Sequence, residues 1–268
     1  MSHRGETSYR EIRLVLDDEV AELILARPRA RNAMTDLMGA EIRQAVTELN
    51  GAAHVRVVLV RGEGETFSAG GDLTMLAERA RQPEADNRTS MRRFYASFLA
   101  VREIRVPTIA VLAGSAIGAG LCLALACDLR LAASTAKLAA SFVRLGLHPG
   151  MGATWLLPRL VGPALAAELL LTGRAVDATE ALRMGLVSQV HAPEALDDAV
   201  RALATQITAA APLAVAQTKA TLAEALERTL DQALAREADA QAIDFGTDDL
   251  AEALKAMAAR RAPSFTGR

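Results

Sequence analysis

The sequence is poor in the residues that build disulfides, metal centres and base-stacking surfaces. Its 268 residues include two cysteines and four histidines, and aromatic residues make up only 3% of the chain. Cys122 and Cys127 are five residues apart and fall on different faces if helical, so we expect neither a disulfide nor a metal pair. So few aromatic side chains argue against a surface that stacks single-stranded nucleic acid. The sequence therefore predicts a protein without a bound metal.

The chain also lacks an excess of charge of either sign. Thirty Lys and Arg residues against 32 Asp and Glu give a formal net charge of -2. This balance excludes a generally basic nucleic-acid-binding protein. The first 18 residues carry charges where a secretory signal needs an apolar stretch, which predicts a cytoplasmic location.

Only one uncharged run, residues 106–127, is long enough to span a bilayer. Pro107 begins it, and Gly114, Gly118 and Gly120 interrupt it with modest hydrophobicity between them. A buried strand, a glycine-rich turn and a buried helix account for this pattern better than a membrane helix. We expect no membrane partner.

The first third of the chain alternates short strands with helices. Residues 11–16 and 19–26 predict a hairpin around Asp17 and Asp18, and Thr35 is a suitable N-cap for a helix to about residue 50. Residues 55–60 form a nearly continuous apolar run, typical of a strand covered on both faces. The pattern is that of an α/β protein.

The later sequence changes from strands to helices. Residues 74–92 are polar and interrupted by Pro83, which predicts a mobile lid, and a helix follows over 91–103. Further strands are predicted at 108–112, 128–132, 137–141 and 186–190, with a helix at 119–126. From residue 193 only helices are expected. We therefore divide the chain into an α/β core, residues 1–192, and a helical region, residues 193–268.

Two stretches of small residues each follow a buried strand. They are Phe67-Ser-Ala-Gly-Gly-Asp-Leu73 and Gly114-Ser-Ala-Ile-Gly-Ala-Gly120. Without bulky side chains, backbone N–H groups there can point into a cleft, and two that converge on one oxygen form an oxyanion hole. The alternative is that these glycines only allow a helix to pack tightly on a sheet. A dinucleotide-binding loop is disfavoured, because Leu123 stands where its third glycine belongs.

With these stretches the sequence resembles the crotonase family of enoyl-CoA hydratases and isomerases nearly from end to end. Residues 142–146 and 154–162 are similar to its phenylacetate-pathway isomerase branch. The matching segments are Leu25-Ala-Arg-Pro-Arg-Ala-Arg-Asn-Ala33, residues 67–73, residues 114–128, residues 171–187 and Arg261-Ala-Pro-Ser-Phe265.

The resemblance implies a spiral of ββα turns followed by C-terminal helices that form a homotrimer, often a dimer of trimers. The ligand would be an acyl-CoA thioester, with coenzyme A as part of the substrate and no separate cofactor. Its thioester oxygen would accept hydrogen bonds from the N–H groups of Ala69 and Ala119. Arg27, Arg29 and Arg31 would lie near the CoA phosphates, where arginine suits phosphate oxygens, or would form a solvated basic loop. The remaining residues expected around the substrate are Ser68, Gly70, Gly71, Asp72, Leu73, Gly118 and Trp155.

Asp72 could be interpreted as a catalytic residue, but we expect it to hold its loop through hydrogen bonds to the backbone.

The sequence departs from the family where the resemblance expects acids. The two hydratase glutamates align with Cys122 and Phe142, and the isomerase aspartate aligns with Gly150. General acid–base catalysis is worth about 10²–10⁴ in rate, so we expect ordinary hydration to be slow or absent. His148 is the best remaining titratable group, or a structural histidine, whereas Cys122 is expected to be a small core residue.

Carboxylates on the lid, from Glu78, Glu84 or Asp86, could also reach the site. The sequence thus predicts an enzyme of the hydratase/isomerase type that works through an enolate. The alternatives are a non-catalytic acyl-CoA carrier or sensor and a structural role for the trimer.

Overall fold

In the computed structural model, which describes residues 4–268, two β-sheets are surrounded by helices. The strands are β1 (Arg4–Ser8), β2 (Ile12–Asp17), β3 (Val20–Leu25), β4 (Val57–Gly62), β5 (Thr66–Ser68), β6 (Thr108–Leu112), β7 (Ser115–Ile117), β8 (Leu129–Ala133), β9 (Lys137–Ala139), β10 (Ala175–Asp177) and β11 (Gln189–His191). The helices are α1 (Asp36–Gly51), α2 (Leu73–Arg79), α3 (Glu84–Leu99), α4 (Ala119–Leu125), α5 (Ala153–Thr172), α6 (Ala178–Arg183), α7 (Leu196–Thr208), α8 (Pro212–Glu224), α9 (Leu230–Asp244) and α10 (Asp248–Ala258).

The strands pair so that successive turns of the chain add to both sheets. The larger sheet has the order β1-β2-β3-β4-β6-β8-β11 and the smaller one β10-β9-β7-β5. From β3 onward the larger sheet is parallel, and β5, β7 and β9 are parallel neighbours in the smaller one. Each of the pairs β4/β5, β6/β7 and β8/β9 contributes one strand to each sheet. This arrangement confirms the predicted ββα spiral.

The central strands are apolar because both of their faces are buried. In β4, Val58 and Val60 face the main core, whereas Val57 and Leu59 face a second cluster that includes Leu196 of α7. All four valine and leucine side chains are at most 4% exposed. The prediction of a strand covered on both faces is therefore confirmed.

Most of the predicted local structure is present. The hairpin turns at Asp17 and Asp18, and the Thr35 side chain accepts a hydrogen bond from the Met38 N–H at 3.0 Å at the start of α1. The uncharged run 106–127 folds as β6, β7 and the fully buried helix α4. From residue 193 to the C-terminus the regular elements are helical, as expected.

Two expectations of local structure were wrong. Residues 74–92 do not form an irregular segment, because α2 begins at Leu73 and Pro83 is the N-cap of α3. Strands β1, β5, β7 and β10 were not predicted. β1 is exposed at all five positions and so has no apolar alternation, and the other three strands have only three residues each.

The C-terminal helices expose several large apolar side chains. The large hydrophobic side chains on α8, α9 and α10 and their connections that are exposed are Leu222, Leu226, Leu230, Leu234, Ile243, Phe245, Leu254 and Met257. Helix α5 is apolar and long enough to suit a membrane span, but Gly162 breaks it with non-helical dihedral angles. The trimer and the boundary at residue 193 stay predictions.

The two glycine-rich stretches meet at α4. A Cβ atom added at Gly120 would lie 2.7 Å from the Ser68 carbonyl oxygen and 2.6 Å from the Ser68 Cβ. Real Cβ atoms do not approach backbone so closely, and packed interiors transmit such strain. Glycine at position 120 is therefore a packing requirement.

We expect Gly120→Ala to lower the free energy of unfolding by about 1–3 kcal/mol because Ser68 and its loop must move. Gly51→Ala is the matched control, since Gly51 also lies in a helix and a Cβ there meets nothing within 4 Å. Urea denaturation of the two variants and the parent measures the difference. Equal midpoints for both variants would contradict the proposed close contact.

Candidate active site

A cavity of about 800 Å³ lies between the two glycine-rich loops and the helices α2 and α3. Such a volume is within the range of about 300–1,000 Å³ that small-molecule sites occupy. Its loop side includes Gly70, Gly71, Leu73, Gly118 and Ala119. The opposite side carries apolar residues of α2, of α3 and of the segment 141–151. Below, the segment of α2 and α3 over residues 74–92 is called the lid.

The loops touch each other through their backbones. Gly70 has φ +90°, and a Cβ atom there would lie 2.7 Å from the Ile117 carbonyl oxygen and 3.4 Å from the Ala119 nitrogen. A side chain at position 70 would thus force the loops apart. Because they stay together, the backbone of both reaches one wall of the cavity.

The structure corrects the assignment of one hydrogen-bond donor. The N–H of Ala69 donates to the Arg31 carbonyl oxygen at 2.9 Å, so it is already used within the fold. Ala69 was therefore the wrong choice as a donor to a ligand, although its side chain lines the cavity. The sequence shows that small residues follow the strand but not which N–H group of the loop remains available.

The N–H group of Gly71 is the available one in this loop. Gly71 forms a parallel bridge with Met34, in which the Met34 N–H donates to the Gly70 carbonyl at 2.7 Å and the Asp72 N–H donates to the Met34 carbonyl at 3.0 Å. In such a bridge the N–H of the central residue points to the other side. Gly71 lines the cavity, and its N–H has no partner among residues 4–268.

Ala119 provides the second N–H group. It is the first residue of α4, where a backbone N–H has no partner within the helix. Ala119 also lines the cavity beside the Gly70 backbone. Two unpaired N–H groups, those of Gly71 and Ala119, therefore border the same space.

Ser68 holds the first loop from behind. It is fully buried, its hydroxyl donates to the Asn32 carbonyl at 2.8 Å, and the same oxygen accepts from the Gly70 N–H at 3.2 Å. It is not among the residues that line the cavity. Asn32, which sequence reasoning did not single out, is also fully buried and donates to the carbonyls of Glu63 and Thr66.

Asp72 holds the end of the same loop, as expected. Its carboxylate caps α2 by accepting from the N–H groups of Thr74 at 3.0 Å and Met75 at 3.3 Å, and it pairs with Arg27 at 3.1 Å. Burial alone would raise the pKa of this carboxyl, but the Arg27 hydrogen bond and the two N–H donors lower the pKa below its usual value. Asp72 does not line the cavity.

The three arginines of the first loop have different surroundings. Arg27 is only partly exposed and is occupied by Glu11 at 3.2 Å, by Asp72 and by the Ala33 carbonyl at 2.6 Å. The side chains of Arg29 and Arg31 are exposed and have no hydrogen bond or ion pair within the described chain. Only these two are free to meet a solvent-facing anion.

Of the positions where the resemblance expects acids, only Phe142 lines the cavity. Cys122 is fully buried, with its sulfur 3.6 Å from the Gly150 carbonyl oxygen. Burial raises the pKa of the Cys122 thiol to about 12, so it stays protonated and unreactive at neutral pH. Its assignment as a small core residue agrees with this environment.

Tyr95 is a residue of the site that sequence reasoning missed. It projects from α3 into the cavity wall, and a Cβ atom at Gly150 would lie 2.5 Å from its hydroxyl oxygen. The phenol thus fills the space of the missing side chain at position 150. Burial, with the nearby Cys122, raises the pKa of Tyr95, so its hydroxyl is protonated at neutral pH. The signal in the sequence was one tyrosine within an apolar helix face.

The other titratable side chains at the cavity are those of His148, Arg79 and Arg144. His148 lies at the exposed part of the wall, with Nδ1 2.8 Å from the Pro149 carbonyl oxygen. The lid carboxylates of Glu78, Glu84 and Asp86 are exposed and do not line the cavity. Within residues 4–268, no Asp or Glu side chain borders this space.

The lid instead contributes Arg79 and Asn87 to the lining of the cavity, and neither residue was predicted there.

No cluster of three or more potential metal ligands is found in the described part of the chain.

Trp155 lies away from this cavity. It borders a second, smaller one of about 210 Å³, next to α8. The guanidinium groups of Arg102 and Arg159 lie over its ring at 4.5 and 3.8 Å. The structure therefore does not bring Trp155 together with the other expected ligand residues.

Comparison with known proteins gives consistent matches. The family model described as enoyl-CoA hydratase/isomerase matches residues 16–268. A crotonyl-CoA hydratase of Syntrophomonas wolfei is 36% identical over 266 residues, covering 97% of this chain and 100% of the relative. The human mitochondrial enoyl-CoA hydratase domain-containing protein 2 is 37% identical, covering 94% and 87%. The crystal structure of an enoyl-CoA hydratase from Bacillus anthracis superposes with a TM-score of 0.91 at 33% identity, covering 97% of this chain and all of that one.

We expect Asp72→Asn to destabilise the protein by about 1–2 kcal/mol at pH 7. Asparagine keeps an oxygen that accepts from the N–H groups at the start of α2, but it lacks the negative charge that pairs with Arg27. The pKa of Asp72 is lower in the folded protein than in the unfolded chain, where it is about 3.9. The charge of Asp72 therefore stabilises the fold above about pH 3.9, and this stabilisation is lost as the pH falls through the folded-state pKa. The difference from the parent should therefore shrink in acid. The control is Asp177→Asn, because Asp177 caps α6 without an ion pair. A pH-independent difference in urea midpoints would refute this role.

Proposed function

Because the chain belongs to the enoyl-CoA hydratase/isomerase family, we propose that it is an enzyme that binds an acyl-CoA thioester and stabilises an enolate of its acyl group. The observation that carries this proposal is the pair of unpaired N–H groups, Gly71 and Ala119, at one cavity. Charge develops on the thioester oxygen as the enolate forms. Two fixed N–H donors stabilise that charge without reorganisation.

The surroundings of the two donors suit the rest of such a ligand. The mostly apolar cavity would hold the acyl chain. Arg29 and Arg31, which are exposed and unpaired, would bind the CoA phosphates. Arg27 would act indirectly, by fixing Asp72 and thereby the Gly71 loop.

The chemistry that we propose is proton transfer at the enolate rather than ordinary water addition. Hydration in this family uses two carboxylates to position and activate water, and the cavity wall carries Phe142 and no carboxylate. Tyr95 is a protonated acid at that wall. In an isomerisation a base removes a proton from one carbon to form the enolate, and an acid returns a proton to a different carbon. His148, which lines the same cavity, would accept the first proton and Tyr95 would donate the second. Solvent would then carry a proton from His148 back to the Tyr95 oxygen, so that both groups are regenerated.

The same cavity would also suit a non-catalytic acyl-CoA carrier or sensor, since binding does not need an acid or a base. Turnover distinguishes the two. We further propose that the exposed apolar side chains of α8 to α10 are covered in a homotrimer or a dimer of trimers.

Ala119→Pro tests the backbone donor. Proline is tolerated at the first position of a helix but has no N–H, so we expect turnover of 2-enoyl-CoA esters to fall by about 10²–10³. Loss of the conjugated thioester absorbance detects hydration, and analysis of the products detects isomerisation. Ala119→Ser keeps the N–H and is the control. Full activity of a folded Ala119→Pro protein would remove Ala119 from the mechanism, and acyl-CoA binding without any turnover in the parent would favour the carrier.

Restoring two acids tests the explanation for slow hydration. We expect Cys122→Glu combined with Phe142→Glu to raise hydration of a short 2-enoyl-CoA by about 10²–10⁴, because water gains a base and an acid. The Gln/Gln double variant has the same shape without the charge. If the two double variants hydrate equally slowly, the missing carboxylates do not explain the parent.

A further inference from the structure

The segment 28–34 carries the two exposed arginines next to the first glycine-rich loop. Residues 28–30 form a single turn of 3₁₀ helix, which the Arg31 N–H extends by donating to the Pro28 carbonyl at 3.0 Å. The side chains of Arg29 and Arg31 are exposed and have no hydrogen bond or ion pair within residues 4–268. Both guanidinium groups are therefore available to a solvent-facing anion.

Arg31 has a backbone conformation that its residue type rarely adopts. Its φ is 51° and its ψ is 38°, in the left-handed region, and Asn32 follows with φ 53°. Asparagine is enriched in this region, whereas arginine has no such preference. A left-handed residue other than glycine persists where the surrounding structure holds it. The conformation at position 31 therefore depends on contacts with the rest of the molecule.

Those contacts are made by the loop that carries the Gly71 donor. The Arg31 carbonyl accepts from the Ala69 N–H at 2.9 Å, and the Asn32 carbonyl accepts from the Ser68 hydroxyl at 2.8 Å. Two residues further along the chain, the bridge to Gly71 continues the same set of hydrogen bonds. The backbone at Arg31 and the Gly71 N–H thus belong to one hydrogen-bonded unit.

The carbonyl and the side chain of Arg31 contact different surroundings. The carbonyl is bonded to the donor loop, whereas the side chain is exposed to solvent. A phosphate bound to the guanidinium adds an interaction that is made in the left-handed conformation. Because a ligand shifts an equilibrium toward the state that it binds more tightly, an anion at Arg31 stabilises the arrangement that presents the Gly71 N–H to the cavity.

We infer that Arg31 is a positioning residue, which couples the binding of the CoA phosphates to the geometry of the oxyanion hole. The inference rests on the proposed acyl-CoA binding and adds that the nucleotide end of CoA raises kcat as well as affinity. Binding energy from a part of the substrate that does not react is thereby used at the reacting centre.

The first test measures hydrogen–deuterium exchange of the full-length protein with and without saturating ADP. ADP has the diphosphate found in CoA and no acyl group. We expect exchange of the Ala69 and Asp72 N–H groups, which donate to the carbonyls of Arg31 and Met34, to slow by about 5-fold or more. This readout does not require turnover.

The second test compares the turnover of an acyl-CoA with that of the corresponding acyl-pantetheine thioester, which has no nucleotide. We expect kcat to be about 10-fold lower for the pantetheine ester, because a donor that is slightly misplaced stabilises the enolate less well. ADP added separately should restore part of the lost kcat. A nucleotide that served only for affinity would change KM and leave kcat the same for both esters.

Variants of the arginines test the residue. Arg31→Gln removes the charge, so we expect it to abolish the effect of ADP on exchange and to lower kcat for acyl-CoA by about 5- to 10-fold. Arg31→Lys keeps a cation and should recover most of both effects. Arg29→Gln should act mainly through KM, since the Arg29 carbonyl makes no hydrogen bond to the donor loop. Arg183→Gln is the control, because Arg183 is exposed on α6.

Failure of ADP to bind, or binding of ADP without slower exchange at Ala69 and Asp72, would overturn the inference. Equal kcat for the two esters, or equal losses of kcat in Arg29→Gln and Arg31→Gln, would overturn it as well. Urea midpoints check that the variants fold, and the parent data decide the question if Arg31→Gln does not. Failure of every acyl-CoA to bind would instead reject the proposed function.

Discussion

The close contact between two backbone loops is the constraint on which the site depends. At Gly120 and Gly70 the loops approach so closely that a Cβ atom would lie 2.7 Å from a carbonyl oxygen of the other loop. The parallel strands β5 and β7 deliver the loops to the same edge of the smaller sheet. Hydrogen bonds made by the side chains of Ser68, Asn32 and Asp72 then hold the first loop. The N–H groups of Gly71 and Ala119 remain without hydrogen-bond partners. The unpaired donors are thus a consequence of how the loops are packed.

The polar character of the cavity follows from what borders it. Backbone N–H groups and the Tyr95 hydroxyl are donors, whereas no carboxylate of the described chain reaches the wall. A site of this kind favours negative charge on a bound oxygen and disfavours the activation of water. Family membership therefore supports the acyl-CoA ligand, and the local residues decide which reaction the proposal assigns to it.

Sequence reasoning succeeded where a local pattern has one structural solution. The apolar strand predicted at 55–60 and found at 57–62, the Thr35 cap and the role of Asp72 in holding its loop follow from the residues themselves. The ββα spiral follows from the resemblance. It failed at Ala69, because the N–H of that residue donates to the carbonyl of Arg31, a residue 38 positions earlier in the chain. It also left open that Glu78 reaches the site and missed Arg79, since one position on the short helix α2 decides which side chain faces inward.

The sequence by itself determined the family and the α/β order of its longer elements, and it places Cys122, Phe142 and Gly150 where the resemblance expects acids, because these are properties of residue identity and spacing. Only the tertiary structure decided that Gly71 rather than Ala69 keeps a free N–H, that Tyr95 fills the space beside Gly150, and that the Arg31 carbonyl is bonded to the first glycine-rich loop. The physical reason is that a hydrogen-bonding group becomes available, or becomes buried, through contacts with residues far away in the chain. Such contacts leave no periodic signal in the sequence.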